Sequence, residues 1–222
     1  MKVEIKNLNK SFQGKKIFEN FSLTLDSSQI NCIIGVSGGG KSTLLNMIAG
    51  LLKKDSGTIE GVNEEEISYI FQEDRLLSWL TIRENMELFI YNYYDKEEAE
   101  ELMKKIFKLL NIEETFQEYP GNLSGGMRQR VNIARALIKP SKLILMDEPF
   151  KSLDYKTKYL IIKELKEVFQ KEKRMVIFVT HDVEEAIFMD GKIYVLGGRP
   201  FEVKGIFEED LVKDKEEIIK LI

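Results

Sequence analysis

The chain has 222 residues, 43% hydrophobic and 32% charged, which is ordinary for a soluble globular protein and enough for one large α/β domain or two small ones. A net charge of −4, from 33 basic and 37 acidic residues, argues against a chain built to grip nucleic acid. The single cysteine, Cys32, excludes an intrachain disulfide and a cysteine zinc cluster, and no stretch approaches the ~20 apolar residues of a membrane span.

Met1 to Lys6 lacks the apolar run of a secretory signal, so any service to a membrane is expected to be peripheral. Val3, Ile5 and Leu8 alternate with polar neighbours and predict an edge strand over 2–8. Phe12 follows, next to a turn at Gln13-Gly14. Phe21, Leu23 and Leu25 alternate again, before a continuous apolar run at 30–34 that includes Cys32 and reads as a buried strand. Helix-like spacing runs from Ser42 to Leu51. Short strands are expected at Gly57-Thr58-Ile59 and at 67–71, and with the first strands they predict a small antiparallel layer beside a core sheet.

From about 74 to 138 the pattern is helical. Asp95 with Glu98 has the spacing of a capping box, and Ala99, Leu102, Met103, Ile106, Leu109 and Leu110 then share a face. Ser124 can cap a helix to Ile138 that Pro140 closes. Apolar strands at 143–146 and 175–179 then flank a helix from Tyr155 to Lys171; strands apolar on both faces belong in a parallel sheet covered by helices. The acidic stretch from about 205 reads as helix. The whole is expected to be one domain, with core residues 1–73 and 139–222 and an inserted helical lobe at 74–138.

Three stretches carry chemistry. Gly35-Val36-Ser37-Gly38-Gly39-Gly40-Lys41-Ser42-Thr43 fits G-x-x-x-x-G-K-[ST], a loop whose backbone N–H groups wrap polyphosphate. Glycine lets bare backbone approach anionic oxygens, Lys41 can reach the β- and γ-phosphates, and the Ser42 hydroxyl can ligate Mg²⁺. The apolar strand 143–146 ends in Asp147 and Glu148: the first can hold Mg²⁺ and the second can orient or deprotonate an attacking water. Ser124, Gly125 and Gly126 open a helix whose N–H groups can bind a second phosphate surface, the alternative being an ordinary helix cap with a flexible lead-in. One nucleotide does not need two cradles from one chain, so the second is expected to serve a neighbouring molecule's nucleotide.

Together these residues resemble the ATP-binding-cassette (ABC) family of transport ATPases over nearly the whole chain. The resemblance makes Gly35 to Ser42 the Walker A loop, Leu143 to Asp147 the Walker B strand and Leu123 to Gln129 the signature. It makes Gln72 the Q-loop glutamine, close to the metal and the attacking water, and Ser152-Leu153-Asp154 the D-loop. His181, the only histidine, would contact the γ-phosphate, and Phe12 would stack on adenine. It implies a phosphate-loop (RecA-like) parallel core with an antiparallel β subdomain and the signature on an inserted helical subdomain. ATP and Mg²⁺ are implied as cofactors, with a nucleotide sandwich between two copies.

The stretch from Phe71 to Asn85 and Gly198-Arg199-Pro200 are similar to bacterial importers of nitrate, sulfonates, taurine or pyrimidine precursors. Such subunits sit on the cytoplasmic face of the membrane, beneath a permease served by a periplasmic or lipid-anchored binding protein. Leu76, Leu77, Trp79 and Leu80 are either a permease-docking surface or lobe core. Lys151 and Ser152 depart from the group, which has glycine and alanine there, and the region 61–66 is short. An exporter ATPase is the alternative within the family. A DNA-repair ATPase would insert a long coiled coil where 80 positions separate Thr43 from Leu123, and a translation factor would carry two cassettes. A small-molecule kinase leaves the signature unexplained, and a non-catalytic sensor would lack Glu148 or His181. The absence of an extra C-terminal domain argues against a built-in regulatory module.

Overall fold

The computed structural model describes residues 1–26, 30–151, 153–172 and 174–222. β1 (Lys2–Phe12) and β2 (Lys15–Asp26) form an antiparallel hairpin. β3 (Ile30–Ile34) leads through the glycine-rich loop into α1 (Lys41–Ile48), and β4 (Ser56–Glu60) returns to pair antiparallel with β1. β5 (Ile67–Ile70) precedes α2 (Ile82–Ile90), α3 (Lys96–Leu109) and α4 (Gly125–Ile138). The chain continues through β6 (Leu143–Asp147), α5 (Tyr155–Glu172), β7 (Met175–Thr180) and α6 (Val183–Met189). It ends with β8 (Lys192–Gly197), β9 (Glu202–Phe207) and α7 (Lys215–Leu221).

Among the described residues two sheets result, one ordered β2-β1-β4 and one ordered β5-β6-β7-β3-β8-β9. The second is parallel from β5 to β8, with β9 antiparallel at its edge. Its inner strands are mostly apolar because both faces are covered. Leu143, Leu145, Ile177 and Val179 face the three-stranded sheet and α1, burying Leu8, Phe18 and Leu45 with them. Ile144, Met146, Val176 and Phe178 face the helices, in one cluster with Met86, Phe107, Val131 and Leu165. Cys32 is fully buried on the helical side, where burial pushes its thiol up and leaves it a packing residue.

Three expectations are corrected. β1 is the centre of its sheet, not an edge: alternation reports one buried face and says nothing about hydrogen-bonded neighbours. β5 belongs to the parallel sheet and not the antiparallel layer, because the three helices after it carry the chain across to β6. The segment from 205 first completes β9, and helix begins only at Lys215. The capping also divides differently. Asp95 accepts from the N–H groups of Glu97 and Glu98 at 3.0 Å each, while the reciprocal box joins Thr81 and Glu84 at the start of α2.

Asn85, unremarked in the sequence, organises the loop before α2. Its buried amide oxygen accepts from the Leu77 N–H at 2.8 Å, and its NH₂ group donates to the carbonyls of Leu77, Leu80 and Thr81. Asn85→Ala is therefore expected to destabilise the fold by about 1–3 kcal/mol, because backbone groups lose partners that water reaches poorly. A fall in the thermal midpoint checks this; an unchanged midpoint would show that the loop is held by other contacts.

Candidate nucleotide-binding site

β3 delivers the glycine-rich loop to the carboxyl end of the parallel sheet, where such folds bind their ligands. Two glycines there are dictated by geometry. A Cβ on Gly35 would strike the Leu196 carbonyl of β8, and Gly40 adopts φ 124° against Ile17. Gly35, Gly39 and Lys41 are buried, while Val36, Ser37 and Gly38 are exposed along the outer rim. Lys41 begins α1 with Ser42 and Thr43, and its Nζ donates to the carbonyls of Gly35 and Val36 at 2.9 Å each. Burial pushes the Lys41 ammonium below the ordinary lysine range, and the charges of Glu148 and Asp147 oppose that shift.

β6 brings Asp147 to the same place. The Ser42 Oγ donates to Asp147 Oδ1 at 3.0 Å. Burial raises the Asp147 carboxyl; the Ser42 hydroxyl lowers it, Glu148 raises it further, and Lys41 and Lys151 oppose. A hydroxyl beside two adjacent carboxylates is an all-oxygen donor set that suits Mg²⁺. Among the described residues no group of three or more His, Cys, Asp or Glu side chains could hold a metal ion. The chain therefore offers no closed cage, and the set fits an ion shared with phosphate oxygens.

Glu148 sits beyond the strand with φ 45°, its N–H donating to the Val179 carbonyl at 2.9 Å. A non-glycine residue in this region is strained and persists where its surroundings hold it. His181, just past β7, places Nδ1 3.1 Å from Glu148 Oε1, and Lys151 places Nζ 3.4 Å from Oε2. Behind them Thr180 Oγ1 donates to the buried Glu185 at 2.6 Å, and Lys158 pairs with Glu185 at 2.6 Å and Asp182 at 3.2 Å. Neither Glu185 nor Lys158 stands out in the sequence, since a charge on a helix ordinarily faces water.

The remaining candidates spread outward. Gln72 is exposed two residues past Ile70, whose register partner in β6 is Met146, so it lies at the same sheet edge as Asp147 and Glu148. Asp154 accepts from the Thr157 N–H at 3.0 Å, and these Thr157 contacts hold its carboxyl below the usual range. Ser152 lies outside the described residues. Phe12 is exposed at the tip of the β1–β2 hairpin with the Lys10 ammonium 5.1 Å from its ring centre, so it is a surface aromatic and not core. Ser124 caps α4 by accepting from Met127 at 3.2 Å; it and Gly125 are exposed and Gly126 half-buried. Among the described residues no hydrogen bond or ion pair joins Ser124, Gly125 or Gly126 to the phosphate loop.

The helix they open instead grips the loop after β5. Asn132 donates to the Phe71 carbonyl at 2.9 Å, and Arg135 donates to those of Asp74 and Arg75 at 2.8 and 2.9 Å. Arg128 pairs with Asp74 at 3.0 Å, and the Arg75 guanidinium lies 3.6 Å from the Phe71 ring centre. Beside this loop a cleft of about 270 Å³ is lined by Tyr69, Phe71, Arg75, Phe89 and Arg135. Leu76 packs against the core, Leu77 and Leu80 are half-buried, and Trp79 is 70% exposed.

A parallel sheet with this loop and a paired Ser–Asp at its carboxyl edge defines a phosphate-loop nucleotide-hydrolysing fold. The family model for ABC transporters matches residues 18–151, and the chain belongs to that family, as an ATP-binding subunit and ATPase. It is similar to the nitrate import ATP-binding protein NrtD of Synechocystis sp., 37% identical, covering 97% of this chain and 85% of that one. It is also similar to the aliphatic sulfonates import ATP-binding protein SsuB of Bacillus thuringiensis subsp. konkukian, 36% identical over 95% of this chain and 87% of that one. Among solved structures, the dimeric post-hydrolysis state of the ATP-binding cassette MJ0796 bound to ADP and Pi is 30% identical. It matches with a TM-score of 0.83 over 93% of this chain and 98% of that one.

Proposed function

We propose that the chain drives import of small solutes, hydrolysing ATP as a homodimer on the cytoplasmic face of a membrane beneath a separate permease. The observation that carries this reading is the meeting of Ser42 and Asp147, 3.0 Å apart, with Glu148 and His181 beside them. In it the phosphate loop wraps the triphosphate, Lys41 turns from its own carbonyls to the β- and γ-phosphates, and Phe12 stacks on adenine. Ser42, Asp147 and Gln72 would hold Mg²⁺, which when bound neutralises phosphate charge. Glu148 orients or deprotonates the attacking water, and His181 holds the γ-phosphate end of the site.

The Ser124-Gly125-Gly126 turn would complete the neighbouring copy's site, with Asp154 at the seam. The exposure of Ser124 and Gly125 supports this, as does the dimer of MJ0796 with ADP and Pi. Residues 74–138 would act as the helical lobe, with the permease docking at Trp79 and the cleft beside Phe71, and Leu76, Leu77 and Leu80 shaping that loop. Relatives named for nitrate and aliphatic sulfonate import favour a solute of the nitrate, sulfonate, taurine or pyrimidine-precursor kind, delivered by a periplasmic or lipid-anchored binding protein. No role for nucleic acid follows from a net charge of −4.

Ser124→Arg tests the arrangement in trans. Nucleotide binding by the single chain is expected to stay nearly unchanged while turnover stops, because the added side chain fills the cradle meant for a neighbour's phosphates. ATP titration and phosphate release, measured on one preparation, separate the two. Loss of single-chain ATP binding would place Ser124 in its own site and defeat the reading.

A further inference from the structure

We infer that Lys151 is a positioning residue for Glu148, fixing the carboxylate that the preceding reading makes the base. The inference rests on that reading and adds a residue to it. Glu148 already has a fixed backbone. Its N–H donates to Val179 and its carbonyl accepts from the Lys151 N–H at 3.3 Å, in a turn that Pro149 stiffens. What remains free is the side chain, and a glutamate carries substantial rotamer freedom.

Each oxygen of the Glu148 carboxylate faces a different partner. His181 Nδ1 lies 3.1 Å from Oε1 and Lys151 Nζ lies 3.4 Å from Oε2, while the Glu148 side chain is only 13% exposed. One partner alone would leave the carboxylate free to swing about that contact; two define its plane. A general base must stand within hydrogen-bond reach of its proton, so small displacements are felt in rate and little in substrate affinity. Lys151 also stands four residues after Asp147, where two adjacent carboxylates meet, and its charge offsets their repulsion in a way that an uncharged residue could not. Its stem is on the surface, so the ammonium is replaceable without disturbing the core.

The test uses the full-length protein with Mg²⁺ and ATP. Lys151→Met, which keeps an unbranched stem to Cε and removes the ammonium, is expected to lower kcat about fivefold, the upper end for a partly exposed ion pair, with KM unchanged. Lys151→Arg should recover most of the rate. Placed on Glu148→Gln and followed with radiolabelled ATP, Lys151→Met should cause no further loss, since there is no carboxylate left to hold. A wild-type or raised kcat in Lys151→Met, with Glu148→Gln inactive, overturns this inference alone. So does an equal loss in both backgrounds, which would mean that Lys151 acts on phosphate directly. Full hydrolysis by Glu148→Gln would instead bring down the assignment of the base beneath it.

Discussion

Glu148→Gln is expected to slow ATP hydrolysis by roughly 10²–10⁴-fold, the usual contribution of a positioned general base. The amide keeps the shape of the side chain and cannot take the proton of the attacking water. Binding should survive, because Lys41, the Ser42–Asp147 pair and the exposed Ser124 turn are all untouched. Removing a negative charge next to Asp147 should also favour the approach of anionic phosphates. The variant is therefore expected to elute as a dimer with ATP and Mg²⁺ and as a monomer with ADP. Size-exclusion chromatography with light scattering reads this directly. A variant that stayed monomeric at saturating ATP, or kept its full rate, would remove Glu148 from the role of base.

Lys41→Ala should fail at an earlier step. The buried ammonium is satisfied by the carbonyls of Gly35 and Val36, and both bonds disappear with the side chain. The loop then loses its internal brace and the phosphates lose a cation. A hydrogen bond to a charged group is worth about 1.5–3 kcal/mol, so affinity should fall by roughly 10- to 100-fold, with hydrolysis abolished. A fluorescent nucleotide titration separates this from Glu148→Gln, which should bind normally. Wild-type affinity in Lys41→Ala would show that backbone N–H groups alone hold the phosphates.

Much of the molecule was legible because its chemistry is local in sequence. The phosphate loop is a contiguous stretch of strand, glycines and helix, so the residue types alone announce it. Ser124 capping α4 and the two-faced apolar strands β6 and β7 were legible for the same reason, since a cap and a buried strand are properties of neighbouring residues. The family resemblance drew on the same stretches and joined them.

Tertiary structure decided what depends on residues far apart in the chain. The central place of β1 and the parallel pairing of β5 follow from which edges meet, and alternation along one strand carries no record of that. The grip of Asn132 and Arg135 on the loop after β5 spans about sixty positions, and the Ser42–Asp147 bond spans 105. In the sequence Lys151 is only a departure from a family pattern; the fold sets its ammonium 3.4 Å from Glu148. Local sequence dictates backbone conformation through sterics and nearby hydrogen bonds, whereas a charge acquires its role from whatever the fold sets opposite it.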